Sequence, residues 1–134
     1  MIDLENDIFT AVATAVRTAH PGTFCTGEYV EAPPSFPAVS IIENGNSVMQ
    51  RYRTLNIENA VSVMYEVNIY SNKASGKKSE AKAIAATLDD AFADIGFTRT
   101  MRNQVANLND ATIYRIVCRY EAIIDKDFWI YHNS

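Results

Sequence analysis

The sequence predicts an α+β fold. It is a mainly antiparallel four- to five-stranded sheet with two helices packed on one face and a long β-hairpin arm. Three observations carry this. Residues Val61–Tyr70 alternate with period two, placing Val61, Val63, Tyr65, Val67 and Ile69 on one face and Ser62, Met64, Glu66, Asn68 and Tyr70 on the other. A second alternating run, Thr112–Asp125, sets Tyr114, Ile116, Cys118, Tyr120, Ala122 and Ile124 against Arg115, Val117, Arg119, Glu121 and Ile123. Between them the period changes to that of a helix, with Ala81, Ile84, Ala85, Leu88, Ala91, Phe92 and Ile95 in one stripe. A helix with one apolar stripe beside strands with one apolar face buries both by lying on the sheet.

The elements follow in chain order. Asp3 to Ala19 read as an amphipathic helix, with Leu4, Ile8, Phe9, Val12, Ala15, Val16 and Ala19 on one face. Asp3 and Asp7 suit its positive end, and His20-Pro21-Gly22 stops it. Thr23–Glu31 reads as a first strand with Gly27 as its bulge. Pro33, Pro34 and Pro37 lack backbone donors, so residues 32–37 are an extended crossing. Ala38–Glu43 is a short strand, and Asn44-Gly45-Asn46 signals a turn. Residues 47–60 have weak periodicity. They read either as an arm extending the hairpin into Val61–Tyr70 or as a loop folded back on its own domain. Arg51, Tyr52 and Arg53 in this stretch mix cationic and aromatic chemistry suited to a subunit contact.

Ser75 is the expected N-cap of the second helix and Gly96 its left-handed stop. Phe97–Arg102 begins a strand, residues 103–110 connect, and the clearest strand follows at Thr112–Asp125. The tail, residues 126–134, is short and aromatic. Phe128 and Trp129 either pack on their own domain or dock on a partner.

With 134 residues, 48% hydrophobic and 21% charged, the chain is expected to be one ordinary globular domain spanning 1–134. A net charge of −4 argues against clamping nucleic acid by phosphate neutralisation. Cys25 and Cys118 read as free, buried thiols in a reducing cytoplasm. The acidic start is unlike a secretory leader, and no apolar run is long enough to span a membrane.

The second helix carries its charges against its dipole. Lys77, Lys78 and Lys82 lie at its start, and Asp89, Asp90 and Asp94 near its end. Each such charge costs roughly 0.3–1 kcal/mol when exposed. One reading is a solvated helix tolerating small penalties. The other is that these ends face opposite charges on neighbouring subunits, Lys77 and Lys78 against Asp89 and Asp90.

No catalytic constellation emerges. His20 and His132 lack metal-ligand spacing, and His20 reads as a polar cap at a helix end. Gly76-Lys77-Lys78-Ser79 fails the phosphate-loop pattern, having Ser71 where glycine is needed and Lys78 where Ser or Thr is needed. Asp89 and Asp90, adjacent on a helix, point about 100° apart and make a poor acid–base pair. The reading is a non-enzyme, with no catalytic residue, cofactor or metal.

The run Val67-Asn68-Ile69-Tyr70-Ser71-Asn72-Lys73, with Gly76–Lys82, Ile95-Gly96-Phe97, Tyr114-Arg115 and Arg119–Ala122, resembles small tail proteins of tailed bacteriophages and prophages. These are tail terminator, tail completion and head–tail joining proteins. The Pro-Pro-Ser-Phe-Pro segment before a short strand fits the same pattern, and the resemblance covers roughly residues 20–125. It implies helices on one side of a mainly antiparallel sheet. It also implies a homo-hexameric ring that caps the tail tube, meets the tube protein and the head connector, and lets DNA pass without specific binding. Such a protein works in the virion after assembly in the host cytoplasm. The alternatives are another neck protein, a connector or stopper, and a monomeric module binding a peptide or small ligand.

Overall fold

The computed structural model describes residues 1–30, 32–49, 59–106 and 110–132. The elements run α1 (Glu5–Ala19), β1 (Phe24–Thr26), β2 (Ala38–Val48), β3 (Ala60–Ser71), α2 (Lys77–Asp94), β4 (Thr98–Ala106), β5 (Tyr114–Asp125) and β6 (Ile130–His132). The sheet order is β1-β2-β3-β5-β4, with β6 also on β5. Only β1–β2 is parallel. The expected α+β fold is therefore present, mostly antiparallel.

β3 and β5 form the spine, paired from Ala60↔Asp125 to Ser71↔Tyr114. Because β3 occupies one edge of β5 throughout, β6 lies on the other edge, in line with β4. Thr98 pairs Glu121 and His132 pairs Ala122, so β4 and the short β6 meet end to end.

Both helices cover the same sheet face. The face Val61, Val63, Tyr65, Val67 and Ile69 is fully buried, as period two requires, and shares one core with the α1 and α2 stripes. Ile8, Val12, Ala13 and Val16 are the buried residues of α1, and Ala81, Ile84, Ala85, Leu88 and Phe92 those of α2. Phe92 stacks on Tyr120 with centroids 4.2 Å apart and planes 9° from parallel. Phe97 meets Phe92 and Tyr65 edge-on, at 5.4 and 5.6 Å. Offset and edge-to-face aromatic pairs add about 0.5–1.5 kcal/mol each beyond their burial, so this cluster pins α2 over β3 and β5.

The opposite sheet face is polar and half-wet. Arg115 Nε and Nη2 both donate to Asn68 Oδ1, at 2.9 and 2.7 Å, and its guanidinium lies 5.7 Å from the Tyr70 ring. Arg119 pairs with Glu66 directly across the strands, at 3.3 Å.

Several expectations change. α1 begins at Glu5, its first turn supported by Asp3 Oδ1 accepting from the Glu5 N–H at 3.0 Å. The first strand shrinks to Phe24–Thr26. Gly27 lies beyond the end of this strand and is no bulge in it; a Cβ there would make only ordinary contact with the Phe9 ring, at 3.6 Å. Asn44-Gly45 does not turn the chain. β2 runs through it, and a register shift between Glu43 and Gly45 absorbs Asn44 as an extra residue. β4 likewise continues to Ala106, into the expected connection. The N-cap of α2 is Gly76, left-handed at φ 90, not Ser75. Gly96 is the left-handed stop as expected, at φ 99.

The β2–β3 hairpin is long, paired from Ala38↔Tyr70 to Val48↔Val61 and closed by Met49 N–H donating to Ala60 O at 2.9 Å. The arm residues Arg51, Tyr52 and Arg53 lie outside the described residues.

Phe92→Ala removes a fully buried ring and its stack on Tyr120. It is expected to cost about 3–5 kcal/mol in urea denaturation. A loss below about 1 kcal/mol would show that the aromatic cluster does not hold α2 to the sheet.

Candidate functional site

Among the described residues, no group of three or more His, Cys, Asp or Glu side chains is placed to hold a metal. Burial pushes both thiols above their ordinary value, Cys25 against an opposing pull from Arg17, so the reactive thiolate is disfavoured. His20 Nε2 lies 2.8 Å from Thr87 Oγ1, bridging the end of α1 to the middle of α2. The Thr87 hydroxyl also reaches Ala83 O, at 3.3 Å. His20 is thus a clasp between helices as well as a residue at a helix end.

The chemistry lies instead in three surfaces. The first is the end of the sheet that carries the hairpin tip. Asp125 pairs with Ala60, and Lys126 N–H donates to Asn59 O at 2.9 Å, so the chain after β5 turns beside the root of the arm. Asp125 Oδ1 accepts from the N–H groups of Asp127 and Trp129, at 2.9 and 3.0 Å. Asp125 N–H donates to Trp129 O at 3.0 Å. This built turn holds Phe128 at φ 65 and leaves Phe128 and Trp129 55% and 67% exposed. Val48, on the β2 side of the same end, is 37% exposed.

The second surface is the β1–β2 edge, which is acidic. Glu5 and Glu28, both exposed, line a cleft of about 430 Å³ with Phe9, Thr26 and Ile41. Glu43 adjoins it. Desolvation pushes its carboxyl up to about 7, with Glu5 and Asp3 adding to the rise and an Asn46 hydrogen bond opposing it. Burial likewise raises the Tyr65 phenol, reinforced by Glu43, Glu5 and Asp3.

The third surface is the β4 edge, which is basic. Lys78, Lys82 and Arg102 line a smaller cleft of about 190 Å³ with Asn103, Gln104 and Tyr114. Arg99, on the same side of β4, pairs with Asp89 at 3.4 Å.

An irregularity adds to each of these edges. The β4 register shift between Arg99 and Met101 sets Arg99 opposite Tyr120 and Arg102 opposite Cys118. Both partners face the core, so both arginines stand on the helix side. In β2, Glu43 lies opposite Tyr65 and Asn46 opposite Val63, again both on the helix side. Residues three apart on a regular strand point to opposite faces. The sequence therefore hides both pairs, and the extra residues Asn44 and Thr100 reunite them.

The residues singled out from sequence are scattered. Lys77 Nζ donates to Thr112 O at 3.1 Å, and Asp89 accepts from Arg99 and from Tyr120 Oη at 3.4 and 3.3 Å. Both are engaged within the chain. Lys78 and Asp90 are exposed. Lys77 and Asp89 stand roughly 18 Å apart along α2, at 1.5 Å per residue. Glu80 puts an acid back in the first turn, accepting from Ser71 Oγ at 2.6 Å, so the helix is less badly charged than its lysines imply. Phe128 and Trp129 are together and exposed. Glu5, Glu28, Glu43 and Arg102 escaped the sequence reading, because each belongs to a group drawn from separate elements.

No protein-family model matches the sequence, and no characterised protein matches it closely enough to be a relative.

Glu43 makes stability depend on pH. Its carboxyl titrates near 4.5 when unfolded and about 7 when folded, so between these values the folded chain holds the extra proton. The stability it contributes is full below the lower value and is lost as pH rises through the upper one. Glu43→Gln is therefore expected to gain on wild type at pH 8 by on the order of 1 kcal/mol after solvent screening, and to show little difference at pH 5. Urea midpoints at the two pH values check this. An equal shift at both would remove Glu43 as the titrating group.

Proposed function

We propose that the chain is a non-enzymatic structural subunit of a tailed phage or prophage virion. In this reading it is a tail terminator that assembles as a ring, six-membered in the family it resembles, caps the tail tube and joins it to the head connector. The observation that carries this is the built end of the sheet. There the Phe128–Trp129 turn sits beside the paired ends of β2 and β3, its backbone held by Asp125 and both aromatics exposed. Exposed Trp and Phe on a rigid turn are the anchors from which binding hot spots are made. They supply apolar area at small entropic cost, since hydrogen bonds already fix their backbone. The net charge of −4 suits a ring through which DNA slides without being held.

The reading is tested by adding purified chain to tail tubes formed from the cognate tube protein and imaging their ends. Phe128→Ala with Trp129→Ala is expected to leave the fold intact and to abolish capping. Asp125→Ala is expected to weaken capping at least tenfold, although both aromatics remain. Full capping by the double variant would reject this end as the docking surface. Wild-type chain that binds the head connector but never a tube end would assign it to the connector or stopper role instead.

A further inference from the structure

A two-fold pairing through either sheet edge would set acid against acid or base against base. Only a head-to-tail arrangement, repeated from copy to copy, brings the unlike edges together. We propose that the outer edges of the sheet mate head-to-tail between successive copies of this chain, the Lys78–Lys82–Arg102 cleft of one receiving the Glu5–Glu28 side of the next. This rests on the ring reading above and assigns the contact that closes the ring.

Three observations support the assignment. The first is charge. Lys78, Lys82 and Arg102 are exposed and have no ion pair among the described residues, where the pairs formed are Arg99–Asp89 and Arg119–Glu66. Glu5 and Glu28 are exposed on the opposite side of the molecule, one strand order apart from end to end. The second is backbone. β4 is a terminal strand of nine residues, most of them exposed, and β1 covers only Ala38–Ser40 of β2. Both edges therefore offer strand backbone for a neighbour, and the charges set on them fix which neighbour is accepted. The third is the state of the acidic edge in a single copy. Tyr65 is fully buried, its hydroxyl has no hydrogen-bond partner, and it sits in the field of Asp3, Glu5 and Glu43. Among the described residues no lysine or arginine forms an ion pair with Asp3, Glu5 or Glu43, so a cation from a neighbouring copy would meet uncompensated carboxylates.

The test uses the full chain and two variants. Lys82→Glu with Arg102→Glu makes both edges acidic, and Glu5→Lys with Glu28→Lys makes both basic. Light scattering on size-exclusion eluates gives the oligomer. Wild type is expected to form a closed oligomer that weakens as salt rises. Each variant alone is expected to assemble at least tenfold more weakly. An equimolar mixture is expected to recover the oligomer, because every contact then joins an acidic edge to a basic one. Recovery also shows that both variants are folded. If wild type assembles and both variants assemble equally well, or if the mixture does not recover, the edge contact is overturned while the ring stands. If wild type remains a monomer at all concentrations and on tube ends, the ring itself falls, and this contact with it.

Discussion

The stack of Phe92 on Tyr120 is the contact on which the remaining geometry depends. It joins the last turn of the covering helix to the middle of the spine, and Tyr65 and Phe97 lock it from the sides. Once α2 is fixed across β3 and β5, its first turn must reach the end of β3, where Ser71 meets Glu80. Its middle must meet α1, where His20 meets Thr87. Its outer flank must overhang β4, bringing Lys78 and Lys82 beside Arg102. The basic edge is thus a consequence of where an aromatic pair sits in the core, some distance from any charge.

How much of this could be read in advance differs by element. The faces of β3 and β5 were legible because both strands are long, central and buried on one side, so period two survives intact. The stripe of α2 was legible for the matching reason. Strand ends were not. Asn44-Gly45 carries the chemistry of a hairpin turn, but Ile41, Ile42 and Val48 gain more by staying paired to β3, and the sheet takes the extra residue as a bulge. β4 was cut short because the three asparagines and the aspartate of residues 103–110 look like a turn, which took Asn103 and Gln104 out of the strand. As an edge strand with both residues exposed, it tolerates them. The clustering of Glu43 with Asn46, and of Arg99 with Arg102, was beyond any periodicity argument. It depends on one inserted residue in each strand.

The same bulges bear on why the molecule has chemically distinct edges at all. Edge strands invite uncontrolled pairing, and proteins usually blunt them with charge or irregularity. Here both edges carry both devices, but with opposite sign. A chain protected only against aggregation would gain more from like charge on both edges, since every edge-to-edge encounter would then be repulsive. Opposite charge leaves one encounter favourable, that of unlike edges. A heterologous contact of this kind gives a ring when its rotation closes and a filament when it does not. The sheet's own twist, roughly 20–25° between neighbouring strands, guarantees that its two edges are not parallel. Copies joined by the proposed edge contact would therefore turn relative to one another, as a ring requires. The exposed aromatic turn and the hairpin lie at the end of the strands and not along the edges, which keeps the surface that would meet a tube separate from the surfaces that would meet a neighbour.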